Sequence, residues 1–387
     1  MTEKLYYADS HMVTFSASVI ACEKVGEYYE AVLDRTAFFP EGGGQYADTG
    51  KIDGIDVIDV QERDHIIYHK MTGALEAGKS VCGEIDWKER FSKMQQHSGE
   101  HIVSGLVHAK FGYDNVGFHM GKDAITMDFN GSLTKEDLKE IERKANEIVV
   151  SNLAIQTEYP ERDVLEQMEY RSKIEIEGEV RIVTIPGVDC CACCAPHVKR
   201  TGEIGLVKLL GVQNYKGGVR VSMLCGFRAL TDYAEKSESV KQISVLLSAK
   251  EQDVFNETVK LKEEIAFQKN KYYELQKQML DYKVNQIEER QPIVLLFEEE
   301  LEGNAPRELV NLLLAKQTRI AAVFSGTQEN GYRYVIGSKD VDVRVFAKGI
   351  NEKFQGKGGG KSEMVQGTVY GNEQEIRKEV MACSERV

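Results

Sequence analysis

Two short motifs in this chain could together bind a metal ion. His97 and His101 are four residues apart, and Cys193 and His197 repeat that spacing almost a hundred residues later. On a helix, residues four apart share one face, so the two imidazoles of the first pair can point at one ion. Two histidines and one cysteine, with or without a fourth group, form a set that zinc accepts. A position left to water would make such a site catalytic.

Each motif alone is a weak indication, because HxxxH is common on ordinary helices. A metalloprotease is disfavoured, since Ser98 occupies the place where HExxH motifs have glutamate. Glu100, between the two histidines, is expected to face solvent. The cysteines from Cys190 to Cys194 are too closely spaced for a disulfide framework, and in a reducing compartment they favour metal binding.

Composition is that of an ordinary globular protein. The chain has 387 residues and a formal net charge of −13, from 49 basic and 62 acidic side chains. This acidity argues against non-specific nucleic-acid binding but leaves room for a local basic patch. No apolar run approaches the roughly 18 residues of a membrane helix, and the first residues lack the features of a signal peptide. We therefore expect no membrane association and a cytoplasmic location.

The pattern along the first 230 residues predicts an α+β fold. Short β-rich runs in residues 1–88 predict a small N-terminal β-barrel containing the glycine-rich stretch Phe38–Gly50. From its glycines alone, this stretch is expected to be a flexible hairpin tip. Residues 89–230 predict a mixed α+β domain that holds both metal-binding motifs, with His97 and His101 on an amphipathic helix.

The sequence pattern of residues 231–387 predicts a helical segment followed by an α/β domain. Residues 231–290 favour one long helix with a heptad stripe, typical of a coiled coil, and 291–387 an α/β module. Within the module, the glycines of 356–360 are expected to form either a flexible loop or a phosphate contact. Four lysines make that neighbourhood locally basic: Lys348, Lys353, Lys357 and Lys361.

Taken together, the motifs resemble the free-standing alanyl-tRNA editing proteins of the long AlaX type. These are related to the editing and C-terminal regions of alanyl-tRNA synthetase. The resemblance covers nearly the whole chain and rests on four motifs in order: the glycine-rich motif Phe39–Gln45, His97–His101, Cys193–His197 and the C-terminal stretch Gly356–Lys361. One departure is Cys194-Ala195-Pro196, where the family more often has Gly-Gly-Thr; the proline is similar to the threonyl-tRNA synthetase editing domain.

The resemblance implies an aminoacyl-tRNA deacylase that edits tRNA(Ala) mischarged with serine or glycine. It implies one Zn²⁺ bound by His97, His101, Cys193 and His197, and a C-terminal DHH-associated domain. Selecting serine over alanine needs a polar pocket, because size alone cannot exclude the smaller side chain. Gln45 and Gln96 are candidates for shaping it.

Two alternatives stay open at this point: an editing deacylase for Ser-tRNA(Thr), and a structural-zinc RNA-binding module without turnover. The basic residues Lys348, Lys353, Lys357 and Lys361 are the candidate tRNA contacts. The heptad stripe suggests a homodimer formed through the C-terminal half.

Overall fold

The computed structural model describes residues 1–121, 123–172 and 179–386. The chain divides into two compact units, Met1–Gln242 and Ile243–Val387. Both contain helices and sheets, so the predicted α+β class is confirmed. Among the described residues, no helix combines the length and apolar character needed to cross a membrane.

The elements of the first unit follow in chain order. They are β1 (Glu3–Lys4), α1 (Leu5–Ala8), β2 (Thr14–Val25), β3 (Tyr28–Leu33), β4 (Arg35–Thr36), β5 (Gly50–Ile52), β6 (Ile55–Arg63), β7 (Ile66–Met71), β8 (Ser80–Ile85), α2 (Trp87–Phe111), β9 (Asn115–Met120), β10 (Ile125–Phe129), α3 (Lys135–Ser151), β11 (Gln156–Glu158), α4 (Arg162–Leu165), β12 (Ile182–Ile185), β13 (Asp189–Ala192), β14 (Val207–Tyr215), β15 (Gly218–Cys225) and α5 (Gly226–Leu246).

Six N-terminal strands pair antiparallel in the closed order β2-β3-β7-β6-β5-β8. Residues of β2 alternate between exposed and buried, as expected for a strand with one face on a core. Phe15, Ala17 and Val19 are its buried residues. The interior formed in this way supports the glycine-rich stretch, which connects β4 to β5.

The glycine-rich stretch is a packed turn rather than a flexible tip. Gly42 and Gln45 form an isolated bridge around Gly43 and Gly44, which have φ of 59° and 78°. The amide of Met120, in β9, donates to the carbonyl of Gly44 at 3.3 Å. A Cβ on Gly44 would lie 2.9 Å from a backbone oxygen of β9, so only glycine allows this approach without strain. The turn is thereby fixed against β9.

Helix α2 is the central element of the first unit. Asp86 caps its N-terminus by accepting a hydrogen bond from the amide of Glu89, and Gly112 ends it in a left-handed conformation. It packs against β13, β15 and α3, and most of its middle is buried. Gly105 permits the contact with the turn before β13, because a Cβ there would lie 2.3 Å from the carbonyl oxygen of Val188.

A buried ion pair joins α2 to the glycine-rich stretch. Arg90 donates through Nε to the Asp48 carboxylate at 2.8 Å, and its Nη2 donates to the carbonyl of Ala37 at 2.6 Å. The same Asp48 oxygen accepts from the amide of Phe39 at 2.7 Å. Neither charged side chain is more than 1% exposed. Such a pair fixes geometry, since removing one partner would leave an uncompensated buried charge.

The second unit begins with a long helix and continues as a five-stranded sheet with helices. Its elements are α6 (Val254–Asn285), β16 (Ile293–Glu298), α7 (Ala305–Ala315), β17 (Ile320–Thr327), β18 (Gly331–Ser338), α8 (Arg344–Lys353), β19 (Lys357–Lys361), β20 (Met364–Val369) and α9 (Glu373–Ser384). The strand order is β16-β17-β18-β20-β19, with β16 and β17 parallel and the other pairs antiparallel.

Two expectations for this half of the chain need correction. The segment predicted as one long helix is two helices, because Ser248 takes a left-handed φ of 50° between α5 and α6. The heptad residues from Val254 to Tyr282 all lie in α6, so the stripe itself belongs to one helix. The glycines of 358–360 form an edge strand, β19, rather than a loop.

Candidate metal centre

The two histidine- and cysteine-containing motifs meet in the first unit. The ligand atoms of His97, His101, Cys193 and His197 all lie within 4.8 Å of one another. We call these residues the four-donor cluster. The Cys193 Sγ lies 3.4 Å from the Nε2 of His97 and 3.4 Å from the Nε2 of His197. The structure therefore brings together four side chains that come from positions almost a hundred residues apart.

Two backbone arrangements position the four-donor cluster. His97 and His101 lie one turn apart on the buried face of α2. Cys193 directly follows β13, and its carbonyl accepts from Nη1 of Arg181 at 2.9 Å. The loop that carries His197 is attached to α2, because the amide of Val198 donates to Oγ of Ser98 at 3.2 Å. The cysteine loop and the helix are thus held together by hydrogen bonds beside the cluster.

Each histidine of the cluster has a hydrogen-bond partner at Nδ1. The partner is Oε1 of Gln45 at 3.2 Å for His97, Oδ2 of Asp189 at 2.8 Å for His101, and Oγ of Ser98 at 3.0 Å for His197. A proton held on Nδ1 leaves the Nε2 lone pair free for a metal, and partners of this kind fix both tautomer and ring orientation.

The geometry and chemistry of the cluster fit a zinc ion. A tetrahedral zinc with Zn–N of about 2.0–2.1 Å and Zn–S of about 2.3 Å places its ligand atoms about 3.3–3.6 Å apart. The two nitrogen–sulfur separations at Cys193 are 3.4 Å. Imidazole and thiolate are both ligands that suit zinc.

Protonation of two of the four donors, Cys193 and His197, also suits metal binding. Burial alone would raise the pKa of the Cys193 thiol, but the imidazole of His97 and hydrogen bonds from its neighbours outweigh burial and hold that pKa well below the usual range. Burial and His101 lower the pKa of His197 to about 3. A thiolate and a neutral imidazole are the forms that bind a metal.

Asp189 and Arg171 are functional neighbours that sequence reasoning missed. Arg171 donates to the Asp189 carboxylate through Nε at 2.7 Å and Nη2 at 2.9 Å, and Asp189 in turn accepts from His101. Although burial alone would lower it, the pKa of His101 is raised because Asp189 and Cys193 hydrogen-bond to its ring. Asp189 heads the cysteine-rich stretch, but nothing in the sequence shows that it faces a histidine 88 positions earlier.

Glu100 is buried, so the expectation that it faces solvent was wrong. Its Oε1 accepts from Oγ of Ser104 at 2.7 Å and from Nδ2 of Asn115 at 2.6 Å, and its Oε2 lies 3.8 Å from Nε2 of His101. Asn115, the first residue of β9, therefore contacts α2 on this side. The expectation failed because both faces of the helix are covered.

The two candidate glutamines have different surroundings. Gln45 is fully buried beside His97, and its Nε2 has no hydrogen-bond partner among the described residues. Gln96 instead binds the backbone of Cys225, donating to its carbonyl at 2.7 Å and accepting from its amide at 2.8 Å. Gln45 therefore orients His97, whereas Gln96 anchors α2 to β15.

A cavity of about 1040 Å³ opens onto the cluster. His97, His101 and Cys193 line it, together with Gly43 and Gly44 of the glycine-rich turn. Tyr7, Tyr159 and Arg181 also line it. The cavity is far larger than a single metal ion needs, so a substrate-sized molecule can reach the cluster.

The four candidate lysines of the second unit are all exposed. Lys348 lies on α8, and Lys357 and Lys361 lie at the two ends of β19. Lys353 donates to Glu379 at 2.7 Å. A separate cavity of about 600 Å³ is lined by the cationic side chains of Arg307, Lys339 and Lys361, and none of these forms an ion pair within the described ranges.

Sequence comparisons find similarity to known protein families and to individual proteins. Family models match in three regions: tRNA synthetases class II (A) over residues 2–89, the threonyl and alanyl tRNA synthetase second additional domain over 180–222, and the DHHA1 domain over 290–385.

Relatives match over nearly the whole chain. An alanyl-tRNA editing protein, AlaX-L, from Pyrococcus horikoshii is 28% identical, over 97% of this chain and 96% of its own length. The alanine–tRNA ligase of Methanococcus vannielii is 30% identical over 97% of this chain, which spans only 43% of that ligase. The ligase of Halobacterium salinarum is 36% identical over 64% of this chain and 28% of its own length.

The three matched regions make this chain similar to proteins that contain synthetase-type domains, among them alanine–tRNA ligases and an alanyl-tRNA editing protein. The resemblance to the long AlaX-type alanyl-tRNA editing proteins, predicted from the sequence, is confirmed.

Asp189→Asn tests the role of the hydrogen bond to His101. The amide keeps the shape but removes the charge, so zinc affinity should fall about 10- to 100-fold, as is usual for such outer partners. Competition with a chromogenic chelator measures this affinity. Cys190→Ala is the matched control, because Cys190 lies outside the cluster, and its affinity should equal that of the unaltered protein. An unchanged affinity in Asp189→Asn would contradict the assignment.

Proposed function

We propose that the protein is a trans-editing hydrolase that deacylates tRNA(Ala) mischarged with serine, and also with glycine. The observation that carries this proposal is the four-donor cluster, with each histidine held at Nδ1, on the wall of a cavity of about 1040 Å³. The full-length similarity to AlaX-L supports the same assignment. We expect it to act in the cytoplasm, where tRNA is charged.

Zinc bound by His97, His101, Cys193 and His197 would supply Lewis-acid chemistry, either acidifying a water or polarising the ester carbonyl. Other residues of the protein hold the ligand atoms in the orientation that zinc binding requires. Gln45 and Ser98 hold two imidazoles, and Asp189 holds the third. Four protein donors are also the number found in closed structural zinc sites, so the donor count alone does not separate the hydrolase from a structural-zinc RNA-binding module. The substrate-sized cavity lined by His97, His101 and Cys193 favours the hydrolase, because a structural site needs no access for a second molecule.

Gln45 is the best candidate for recognising serine. Its Nε2 is buried and unpartnered among the described residues; Gln45 itself does not line the cavity, but its neighbours Gly44 and His97 do. A substrate hydroxyl that accepts from this amide would satisfy it, and alanine, which lacks the hydroxyl, would leave it unpaired. Sites of this kind reject the missing hydroxyl strongly, because a buried polar group loses its partner. Pro196 still leaves Ser-tRNA(Thr) as the alternative substrate.

Deacylation of four substrates tests the proposed function. Ser-tRNA(Ala) and Gly-tRNA(Ala) should be hydrolysed well, and Ala-tRNA(Ala) and Ser-tRNA(Thr) poorly, as followed by release of radiolabelled amino acid. Cys193→Ala and His101→Ala should each abolish hydrolysis and lower zinc content, while Cys190→Ala retains both. Preferential hydrolysis of Ser-tRNA(Thr) would establish the threonyl alternative, and no hydrolysis of any substrate would contradict an editing role.

The second unit is proposed to bind the tRNA backbone through Lys348, Lys353, Lys357 and Lys361. Lys361 also lines the smaller cavity, where Arg307 and Lys339 add two cations without ion-pair partners in the described part of the chain. An unpaired cationic side chain binds phosphate at a lower cost in free energy than a paired one, because a paired side chain must first break its ion pair with a carboxylate. Lys353 is paired with Glu379, so we expect it to contribute least of the four.

Lysine-to-glutamine variants test this surface. Each phosphate contact removed should flatten the log–log salt dependence of tRNA binding by about 0.9 or less. Lys361→Gln should show this change, and Lys353→Gln should show a smaller one. Filter binding across a potassium chloride series measures the slopes. Lys241→Gln, on exposed α5, serves as the control. Equal slopes for Lys361→Gln and the unaltered protein would exclude Lys361 from the contact surface.

A homodimer through α6 is proposed from its exposed apolar side chains. Leu261, Ile265, Leu275 and Met279 occupy heptad positions and are 42–55% exposed. Repeated apolar positions of this kind pair helices in water. Sedimentation equilibrium should find a dimer for the full chain and a monomer for Leu261→Lys/Leu275→Lys. A monomer in both would contradict the proposal.

A further inference from the structure

The smaller cavity, of about 600 Å³, lies entirely within the second unit. One wall is helix α7, which packs against β17 and β18, and the other wall is the hairpin formed by β19 and β20. Three basic side chains line it: Arg307 on α7, Lys339 after β18 and Lys361 on β19. Glu363, in the hairpin turn, is the only acidic residue of the described lining. The cavity therefore attracts an anion.

The polar side chains of the smaller cavity are available to a ligand. The three basic side chains form no ion pair within the described ranges, and the side-chain amides of Asn311 and Gln366 form no hydrogen bond there. All five side chains are exposed. Basic groups bind phosphate oxygens, whereas an amide offers a donor and an acceptor together, as the edge of a nucleotide base requires. The lining thus combines two kinds of recognition.

Gly359 is a glycine that the packing of β19 does not require. A Cβ on Gly358 would lie 2.4 Å from the carbonyl oxygen of Gln366, and a Cβ on Gly360 would lie 2.3 Å from that of Met364. Apart from its chain neighbours, a Cβ on Gly359 would meet no atom of the described residues within 4 Å, and its φ is not left-handed. Because glycine weakens a strand interior, glycine at such a place is typical of a site where a ligand approaches the backbone.

The available groups lie on both walls of the smaller cavity. Gly359 and Gln366 are directly paired across β19 and β20, so the bare peptide groups of the strand lie beside a side-chain amide. Arg307 and Asn311 are four residues apart on α7 and therefore share the face that lines the cavity. Each wall thus offers an amide and a positive charge, since Lys361 lies on the same strand as Gly359.

We propose that the smaller cavity binds a free nucleoside diphosphate, with the basic side chains on the phosphates and the amides on the base. Its volume lies within the roughly 300–1,000 Å³ usual for small-molecule sites. Contacts to an RNA backbone need only exposed cations, and would use neither the amides nor the bare strand. The inference goes beyond the proposed function and does not depend on deacylation. The site shares its basic side chains with the proposed tRNA surface, so the test must separate the two ligands.

Calorimetric titration of the full-length protein with ADP, GDP, CDP and UDP tests the proposal. At least one of the four should bind. Its nucleoside, which lacks the phosphates, and pyrophosphate, which lacks the base, should each bind about 10-fold more weakly or less. Equal affinity for pyrophosphate and the nucleotide would show a site for phosphate alone. Either that result or no binding of any of the four nucleotides overturns the proposal.

Gly359→Val is the sharpest variant, because it fills the cavity at a strand position where its side chain meets no clash. It should lower the affinity for the bound nucleotide about 10-fold or more without lowering the thermal unfolding midpoint. Arg307→Gln should weaken both the nucleotide and pyrophosphate, whereas Asn311→Leu should weaken the nucleotide alone.

Lys378→Gln is the matched control for loss of a positive charge. Lys378 is exposed on α9 and does not line the smaller cavity, so its variant should bind the nucleotide as the unaltered protein does. Unchanged nucleotide affinity in both Gly359→Val and Arg307→Gln would place the ligand elsewhere and overturn the proposal. Weaker binding of tRNA to Gly359→Val, with no nucleotide bound by the unaltered protein, would assign the cavity to RNA and also overturn it. Failure of the proposed function is separable, because none of these variants lies in the four-donor cluster.

Discussion

Hydrogen bonding at the Nδ1 atoms of three buried histidines is the constraint on which the site depends. A partner at Nδ1 fixes the tautomer and the orientation of each imidazole, so that Nε2 is directed at the cluster, and the partners come from three places. Gln45 lies on the glycine-rich turn, Asp189 begins β13 and Ser98 lies on α2 itself. The glycine-rich turn, helix α2 and the cysteine loop must therefore all be correctly placed before the four donors can converge.

The fold satisfies this requirement with polar contacts that would be costly if left unpaired. Arg90 and Asp48 join the helix to the glycine-rich stretch, and removing one partner of such a buried pair typically costs about 3–5 kcal/mol. Arg181 holds the cysteine loop while facing the cavity. The chain thus uses buried polar groups to fix geometry at the site, and apolar packing around Met94, Ile102 and Met223 to stabilise the domain.

Motif spacing was sufficient to predict which residues meet, but not which residues orient them. His97 and His101 share a helical face by simple periodicity, and the repeat at Cys193 and His197 suggested one shared ion. Asp189 could not be assigned, because its contact with His101 depends on how β13 packs against α2. Glu100 was misjudged for the same reason, since single-sequence periodicity does not show that β9 covers a second face of the helix. The break at Ser248 also escaped prediction, because a left-handed serine leaves no distinctive signal in a polar segment.

X-ray absorption at the zinc edge of the purified full-length protein tests the central claim most directly. Binding by His97, His101, Cys193 and His197 predicts one sulfur at about 2.3 Å, with the remaining ligands nitrogen at about 2.0–2.1 Å. Three further cysteines, Cys190, Cys191 and Cys194, lie within three positions of Cys193. A shell with two or more sulfurs, or with none, would contradict the four-donor assignment.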